Sequence, residues 1–330
     1  MEPLKTIRWG IIGCGDVTEV KSGPALQKAR NSKLVAVMRR NAEKAKDYAL
    51  RHGVPKWFDN AEDLIKDPEV DAVYVATPPS SHMEYTVRAA RACKPVYVEK
   101  PMARTFEECR AMIDACATAS VPLFVAYYRR ALPRFLRIKE LLEAREIGEV
   151  RFVTVTLYQR PDQADLDPKN LPWRVTPEIS GGGKFVDLAS HMLDFLAYVL
   201  GPIEKAGGVA SNQGKLYPAE DIVSGNFRFE SGVQGIGVWC FTAFNQVDVT
   251  EIVGAKGKIA FATFDSSPVV LTTGNGREEF AMENPPHIQQ PLIQTIVDEL
   301  NGAGKCPSTG VTGSRTSWVM DQMLKRIDQL

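Results

Sequence analysis

Several features that would place this chain in a specialised class of protein are missing. Its 40 basic and 40 acidic side chains cancel to a formal net charge of zero, so it lacks the broad positive field of a nucleic-acid binder. No apolar run approaches the roughly 20 residues that span a bilayer, and no signal-peptide pattern follows the first charges. Its six cysteines form no C-x-x-C pair. We therefore expect neither a nucleic-acid nor a membrane partner, no structural metal site, and a reducing, cytoplasmic location.

What remains is the composition of an ordinary globular protein of about two domains. The 330 residues are 44% apolar and 24% charged, which is typical of that class. In the first third, short apolar runs alternate with amphipathic stretches, and this rhythm predicts βα units on a parallel sheet. We expect a doubly wound α/β domain of the dinucleotide-binding type over residues 1–126. Its predicted strands span residues 6–12, 33–38, 57–58, 71–76, 95–99 and 122–127.

From about residue 150 the pattern changes to β-branched alternation with short, glycine-containing connections, which favour antiparallel pairing. We expect a second α/β domain over residues 127–330, built on a large open, mostly antiparallel sheet. One face of its long strands must be covered. The predicted strands are 151–159, 203–211, 222–230, 233–241, 247–253, 258–264 and 269–272, and the predicted helices are 135–144, 184–200, 289–301 and 316–328.

A glycine-rich turn follows the first predicted strand and opens a helix. It consists of Gly13, Cys14, Gly15, Asp16 and Val17. Glycines in this setting let the backbone approach a pyrophosphate at the helix N-terminus, which favours a dinucleotide-binding turn. The position of a third glycine is occupied by Thr18, which is larger than the Gly or Ala that close helix–strand packing prefers. A tight turn that binds nothing is the alternative.

The residues after the second predicted strand bear on the choice of cofactor. An acid there bonds the ribose 2′-hydroxyl of NAD, whereas an arginine can receive the 2′-phosphate of NADP. This chain has Arg39, Arg40 and Asn41. We therefore expect NADP, with NAD less favoured; the alternative is that both arginines are solvated at a helix start.

Lys100 is a candidate proton-transfer group. It follows the buried run ending in Glu99 and precedes Pro101, which restricts it to an extended conformation and permits a cis bond. The carboxyl ends of parallel strands are where such sheets bind ligands. Burial beside a cationic nicotinamide would lower the pKa of a lysine toward neutrality and make it a usable acid or base.

A second candidate lies on the helix predicted after Gly181-Gly182-Gly183. Asp187 and His191 are one turn apart on that helix, so the carboxylate can orient the imidazole and stabilise its protonated form. Asp194 and Tyr198 continue the same line of side chains. An ordinary i,i+4 contact is the alternative, and metal ligation is less favoured because no third or fourth ligand clusters nearby in sequence.

Together these motifs, with the segment 76–82, resemble the Gfo/Idh/MocA family of oxidoreductases over essentially the whole chain. The resemblance implies a Rossmann domain followed by an α/β domain whose open sheet often forms the oligomer interface, hence a homodimer or homotetramer. It implies a catalytic triad of Lys100, Asp187 and His191. It further implies that cofactor contacts come from Ala76, Thr77, Pro78, His82, Glu99, Lys100, Arg129, Trp173 and Arg174, and substrate contacts from Lys100, Tyr128, Tyr158, Trp173, Asp187 and His191.

The Trp173-Arg174 pair, with Arg40, is similar to the anhydrofructose reductase, glucose-fructose oxidoreductase and dihydrodiol dehydrogenase branches, which use NADP. We expect an NADP(H)-dependent oxidoreductase that moves a hydride between nicotinamide and a sugar, polyol or related diol or ketone. Two alternatives remain open: a glycosidase that uses NAD transiently, and a cofactor-binding regulator without catalysis.

Overall fold

The computed structural model describes residues 5–325, which form two sheets flanked by helices. The strands are β1 (Ile7–Ile12), β2 (Ser32–Met38), β3 (Lys56–Phe58), β4 (Ala72–Val75), β5 (Val96–Val98), β6 (Leu123–Val125), β7 (Val150–Tyr158), β8 (Ile203–Ser211), β9 (Ile222–Phe229), β10 (Gln234–Cys240), β11 (Val247–Gly254), β12 (Gly257–Phe261), β13 (Val269–Thr273) and β14 (Gly276–Phe280). The helices are α1 (Gly23–Lys28), α2 (Ala42–His52), α3 (Ala61–Lys66), α4 (His82–Arg91), α5 (Phe106–Thr118), α6 (Pro133–Glu143), α7 (Pro177–Ser180), α8 (Lys184–Leu200), α9 (Gln290–Leu300) and α10 (Gly310–Leu324).

The chain divides into two compact units. The first comprises the described part of Met1–Leu132 together with Pro285–Ser314, and the second comprises Pro133–Asn284 with the described part of Arg315–Leu330. The sequence predicts domains over residues 1–126 and 127–330, and therefore places residues 285–314 in the second domain. In the structure that segment packs with the first unit, and Thr309 forms an antiparallel bridge to Phe124 of β6.

The first unit is built on a six-stranded parallel sheet with the strand order β3-β2-β1-β4-β5-β6. All residues of β4 and β5 are buried, which is why their sequence is a continuous apolar run rather than an alternating one. The strand order reverses direction between β1 and β4, and in such sheets ligands bind at that point, beyond the carboxyl ends of the strands. The predicted doubly wound fold is confirmed.

The second unit is built on an eight-stranded sheet with the order β14-β13-β12-β11-β7-β10-β9-β8. Its pairs are antiparallel apart from β7 and β10, which run parallel. Trp239 on the covered face is fully buried and donates a hydrogen bond to Met192 Sδ of α8 at 3.4 Å. The open, mostly antiparallel sheet was predicted correctly.

Two elements differ from the sequence expectation. β14 was not predicted because Arg277, Glu278 and Glu279 give it no apolar alternation. In the part of the chain that the structure describes, it lies at the sheet edge and pairs with β13 alone. α10 begins at Gly310 rather than near residue 316, since Thr309 accepts a hydrogen bond from Thr312 N at 3.3 Å at its start; residues 326–328 of that predicted helix lie outside the described part. Within residues 5–325, no helix combines the length and apolar character that crossing a membrane requires.

Candidate functional site

The glycine turn after β1 has the backbone geometry that its sequence predicted. Gly13 has φ +91°, a left-handed conformation that favours glycine, and a Cβ there would lie 2.6 Å from Thr77 Cγ2. A Cβ at Gly15 would approach nothing more closely than Gly13 O at 3.9 Å. At Gly13 the turn therefore packs against the residues that follow β4. At Gly15 it is open, so a phosphate could approach the backbone there.

Thr18 fits the turn despite replacing a small residue. Its buried hydroxyl donates to Gly15 O at 2.7 Å and accepts from Gly15 N at 3.0 Å, so it closes the turn. The close packing expected of a third glycine occurs at Gly23 instead, where a Cβ would collide with Thr18 O and the Tyr48 hydroxyl. Tyr48 Oη donates to Thr18 O at 2.8 Å. Sequence reasoning missed Gly23 because it lies outside the motif spacing.

Two arginines lie at the carboxyl end of β2 beside this turn. The half-buried Arg39 donates from Nη1 to Cys14 O at 3.3 Å, and Arg40 is exposed. Asn41 caps α2 by accepting from Lys44 N at 2.9 Å. Burial raises the pKa of the Cys14 thiol to about 11, so this cysteine is a neutral packing residue at neutral pH.

His82 joins the turn after β4 to the turn after β5. Its fully buried ring places Nε2 2.6 Å from Thr77 O, and Nδ1 3.1 Å from Pro101 O and 3.2 Å from Met102 O. Burial lowers the pKa of this imidazole. His82 therefore ties together the two turns that were expected to line the cofactor cleft, and its cofactor contact stays a prediction.

Lys100 lies two residues beyond the end of β5 and is half-buried, and its bond to Pro101 is cis. Beside it, the Glu99 side chain points into the interior and is 6% exposed. Glu99 Oε1 accepts from Tyr74 Oη at 2.5 Å and from Gln289 Nε2 at 2.6 Å, while Oε2 accepts from Lys100 N at 3.1 Å. The structure thus shows Glu99 hydrogen-bonded to the backbone of the lysine turn, and its expected cofactor contact stays a prediction.

The end of β6 contributes a buried aromatic–cation pair. Tyr128 and Arg129 lie in a short 3-10 turn over Tyr128–Ala131, and both are buried. The Arg129 guanidinium lies 5.1 Å from the centre of the Tyr128 ring. Like Ala76, Thr77 and Lys100, they follow a strand of the parallel sheet at its carboxyl edge.

In the second unit, α8 carries Asp187 and His191, both buried. Asp187 Oδ2 accepts a hydrogen bond from Arg174 Nε at 3.1 Å, and the Arg174 guanidinium stacks 4.5 Å from the centre of the Trp173 ring. The His191 ring meets Phe264 edge-on at 6.0 Å. Arg174 thus forms an ion pair with the carboxylate of Asp187, and the sequence did not predict this pair.

The rest of the predicted line on α8 contacts other elements. Asp194 Oδ1 accepts from Thr316 Oγ1 of α10 at 3.3 Å, and the Tyr198 ring lies 5.9 Å from Lys139 Nζ of α6. Asp187 is therefore the member of the line that contacts the Trp173 segment, through Arg174, and Asp194 and Tyr198 contribute to packing.

The glycine triplet allows another segment to approach the start of α8. Gly183 N donates to Glu220 Oε1 at 2.7 Å, and a Cβ at Gly183 would lie 2.9 Å from Ala219 Cβ. Burial raises the pKa of Glu220. The close neighbour that the triplet permits is thus residues 219–220.

Lys184, the first residue of α8, anchors the segment that follows β7. Its ammonium pairs with the buried Asp165 at 2.5 Å and with Asp162 at 2.6 Å. This segment begins after Tyr158, the half-buried last residue of β7, and carries Trp173. A lysine in the first turn of a helix is electrostatically unfavourable, and this was the one sequence signal that an acid lies beside it.

The predicted site residues thus fall into two groups. Lys100 lies in the first unit at the edge that also carries the glycine turn, whereas Asp187 and His191 lie in the second unit. Their action as one triad stays a prediction. Within residues 5–325, no group of three or more His, Cys, Asp or Glu residues could hold a metal ion.

Both units match models of known protein families. Residues 7–127 match a model described as an oxidoreductase family with an NAD-binding Rossmann fold, named GFO_IDH_MocA, and residues 135–260 match the GFO/IDH/MocA C-terminal domain.

Similar proteins cover nearly the whole chain. Oxidoreductase P35 of Formosa agariphila is 42% identical over 317 residues, covering 96% of this chain and 97% of that protein. A 1,5-anhydro-D-fructose reductase of Ensifer adhaerens is 30% identical over 314 residues, covering 93% and 92%. The crystal structure of an aldose-aldose oxidoreductase from Caulobacter crescentus, complexed with glycerol, is 25% identical with a TM-score of 0.85, covering 97% of this chain and 96% of that one.

Proposed function

The chain belongs to the Gfo/Idh/MocA family of oxidoreductases, and from this membership we propose that it transfers a hydride between NADP(H) and a sugar, a polyol or a related diol or ketone. The observation that carries the proposal is that the open glycine turn and Lys100 lie at the same carboxyl edge of the parallel sheet. That edge is where this fold binds dinucleotides.

The residues of the first unit fit a dinucleotide. The open backbone at Gly15 suits the pyrophosphate, and the packed position at Gly13 holds the turn in place. Arg39 and Arg40 offer two cations at the end of β2, which suits the 2′-phosphate of NADP. Asp16, Val17, Ala76, Thr77, Pro78, His82, Glu99 and Arg129 remain proposed cofactor residues, together with Trp173 and Arg174 of the second unit.

The bound nicotinamide would supply or accept the hydride at C4, and the protein must then move a proton at the substrate oxygen. Lys100 and His191 are the groups we assign to that transfer, because lysine and histidine side chains are among those that donate or accept protons in general acid–base catalysis. Asp187, held by Arg174, supplies the negative charge that stabilises a protonated imidazole one turn away.

A polyhydroxylated substrate suits the second unit. Arg174, Asp187 and His191 provide donors and acceptors, and Trp173 provides an apolar ring; sites built from such groups discriminate strongly for matching hydroxyls. The similar proteins from Ensifer and Caulobacter are named for sugar substrates. Tyr128 and Tyr158 complete the proposed substrate contacts.

The proposed location and assembly follow the same reasoning. All six cysteines are free thiols, which supports a reducing, cytoplasmic compartment. The face of the second sheet that includes Val209 and Ile236 is exposed, and we propose that it joins two or four copies of the chain.

The test is a screen of the purified protein with NADPH and NADH against aldoses, ketoses and vicinal diketones, with polyols and NADP⁺ in the reverse direction. We expect substrate-dependent loss of NADPH absorbance. Cofactor binding without turnover of any carbonyl or polyol would favour a regulator. Release of an aglycone from aryl glycosides, without net change in nicotinamide absorbance, would favour the glycosidase.

A further inference from the structure

We propose that Gln289 is a positioning residue for the reaction: inside the first unit it holds the Glu99 carboxylate, and through it the backbone of Lys100. The proposal rests on the proposed function in one respect, since it takes Lys100 as a proton-transfer group. Gln289 lies 190 residues beyond Glu99 in the chain, so neither motif spacing nor periodicity connects the two.

The two hydrogen bonds of the Gln289 side chain fix the orientation of its amide group. Its side chain is 0% exposed; its Oε1 accepts from Tyr97 Oη at 2.7 Å, and its Nε2 donates to Glu99 Oε1 at 2.6 Å. A phenol can donate here and a carboxylate can only accept, so this arrangement fixes which end of the amide faces which neighbour. Gln289 therefore links the side chain of Tyr97, in β5, to that of Glu99, which directly follows β5.

Glu99, held by Gln289, in turn accepts a hydrogen bond from the backbone of the lysine turn. Its Oε1 also accepts from Tyr74 Oη at 2.5 Å, and its Oε2 accepts from the backbone N–H of Lys100 at 3.1 Å. Tyr74 and Tyr97 stack with their ring centres 4.7 Å apart, and burial raises the pKa of both phenols, so they remain donors. The carboxylate is thus held by three donors, one of which is the amide of the proposed catalytic residue.

Loss of the Gln289 amide would leave a buried carboxylate and a buried phenol each short of a partner. Buried groups in this state are costly, and the structure around them shifts to regain partners or water. The Lys100 amide is the member of the network that belongs to an irregular turn rather than to a strand, so the shift is expected there. Displacing a catalytic group by a fraction of an ångström lowers turnover without removing the group.

The variant for the test is Gln289→Met, which keeps the length of the side chain and removes its hydrogen bonds. The matched control is Gln294→Met on α9. Gln294 also joins the segment Pro285–Ser314 to the earlier part of the first unit, since its Oε1 accepts from Arg30 N at 2.8 Å. A second variant, Tyr97→Phe, removes only the hydroxyl that orients the Gln289 amide, and serves if Gln289→Met does not fold.

The first readout needs no cofactor or substrate. Amide hydrogen exchange of Lys100 in the free protein, resolved by fragmentation mass spectrometry, should rise roughly tenfold in Gln289→Met and less in Tyr97→Phe, because a lost buried hydrogen bond is worth about that factor. The Val73 amide in β4, which donates to Pro95 O, should exchange at the wild-type rate. Unchanged exchange at Lys100, or an equal rise at Val73 or in Gln294→Met, would overturn the positioning role.

The second readout separates positioning from general loosening. For Gln289→Met we expect kcat to fall roughly 10- to 100-fold, because misplacing a catalytic group by about 1 Å can cost about 100-fold. We expect the cofactor Kd to stay within about threefold of wild type. Gln294→Met should keep kcat. A wild-type protein without turnover would contradict the proposed function alone, because the exchange measurement still decides whether Gln289 holds Lys100.

Discussion

Individual residues show how side chains that depart from a motif can still satisfy its geometry. Thr18 replaces the third glycine of the phosphate turn, yet its hydroxyl makes two hydrogen bonds to Gly15, and the tight contact is made at Gly23. Glu99 and His82 follow strands where a cleft lining is expected, and both are buried and hydrogen-bonded to backbone groups. Residues within a motif can thus hold the backbone of its turns from the interior.

Arg39 is predicted to decide the choice between NADPH and NADH. Arg39→Asp removes a cation and adds an acid suited to a ribose 2′-hydroxyl, so the ratio of the NADPH and NADH dissociation constants should move toward NADH by at least about tenfold. Nicotinamide fluorescence measures both constants. Arg91→Asp, at the exposed end of α4, makes the same change in net charge and should keep the ratio. An unchanged ratio in Arg39→Asp would refute the 2′-phosphate assignment.

Lys100 and His191 are predicted to act in proton transfer. Lys100→Met and His191→Asn should each lower kcat by at least about 100-fold, since each removes a positioned acid or base. Circular dichroism should show the wild-type fold, and NADPH should still bind to His191→Asn. A turnover near wild type in either variant would remove that residue from the mechanism.

At the scale of elements, one ion-pair cluster joins the π-helical turn Thr18–Ser22 to the end of α2. Glu19 in that turn accepts from both Arg51 and His52, at 2.8 and 2.7 Å. Hydrogen bonding from Arg51 is the largest cause that lowers the pKa of Glu19, to about 2. The folded protein thus holds this carboxylate in its charged form further into acid than the unfolded chain does.

This shift predicts a pH dependence of stability with a definite sign. Because the folded pKa of Glu19 lies below its unfolded value, its contribution is present above about pH 4.5 and is lost as the pH falls toward about 2. The difference in unfolding free energy between wild type and Glu19→Gln should therefore be largest near neutral pH and shrink in acid. Denaturant unfolding at several pH values measures it, with Glu107→Gln at an exposed position of α5 as the control. A difference that grew in acid would contradict the assignment.

The elements also show what the sequence could and could not predict. β4 and β5 were predictable because burial on both faces demands continuous apolar runs, and the turns that follow them carry the residues that identify the family, which the comparisons confirm. β14 was missed because its exposed charges hide it. The pairs Arg174 with Asp187 and Lys184 with Asp165 depend on side-chain directions in an irregular segment, which no periodicity encodes.

At the scale of the whole molecule, the chain returns to the first unit after completing the second sheet. In the segment Pro285–Ser314, Gln289 Nε2 donates to Glu99 Oε1 at 2.6 Å, and Ser308 Oγ donates to Val125 O of β6 at 2.7 Å. The late part of the sequence thus supports the strand ends that carry the proposed cofactor site. A truncation before residue 285 would remove the segment Pro285–Ser314 from the first unit, although this segment lies far in sequence from the rest of that unit.

The exposed face of the second sheet is predicted to join copies of the chain. Val209 and Ile236 are 56% and 58% exposed there. Ile236→Lys would place a charge within a buried interface, so the assembly measured by sedimentation should become smaller. Leu50→Lys is the control, because Leu50 is an exposed apolar residue of α2 in the other unit. A wild-type monomer, or an assembly unaffected by Ile236→Lys, would contradict this interface.

The most direct test of the central claim is to follow the hydride itself. The protein is incubated with NADPH or NADH, each deuterated at one or the other face of nicotinamide C4, and with a mixture of aldoses and ketoses. The products are analysed by mass spectrometry. We predict that deuterium from one face appears on the new carbinol carbon of a polyol product, and that the label transfers from NADPH in preference to NADH. Sugar products without deuterium from either face of either cofactor would contradict hydride transfer as the function of this protein.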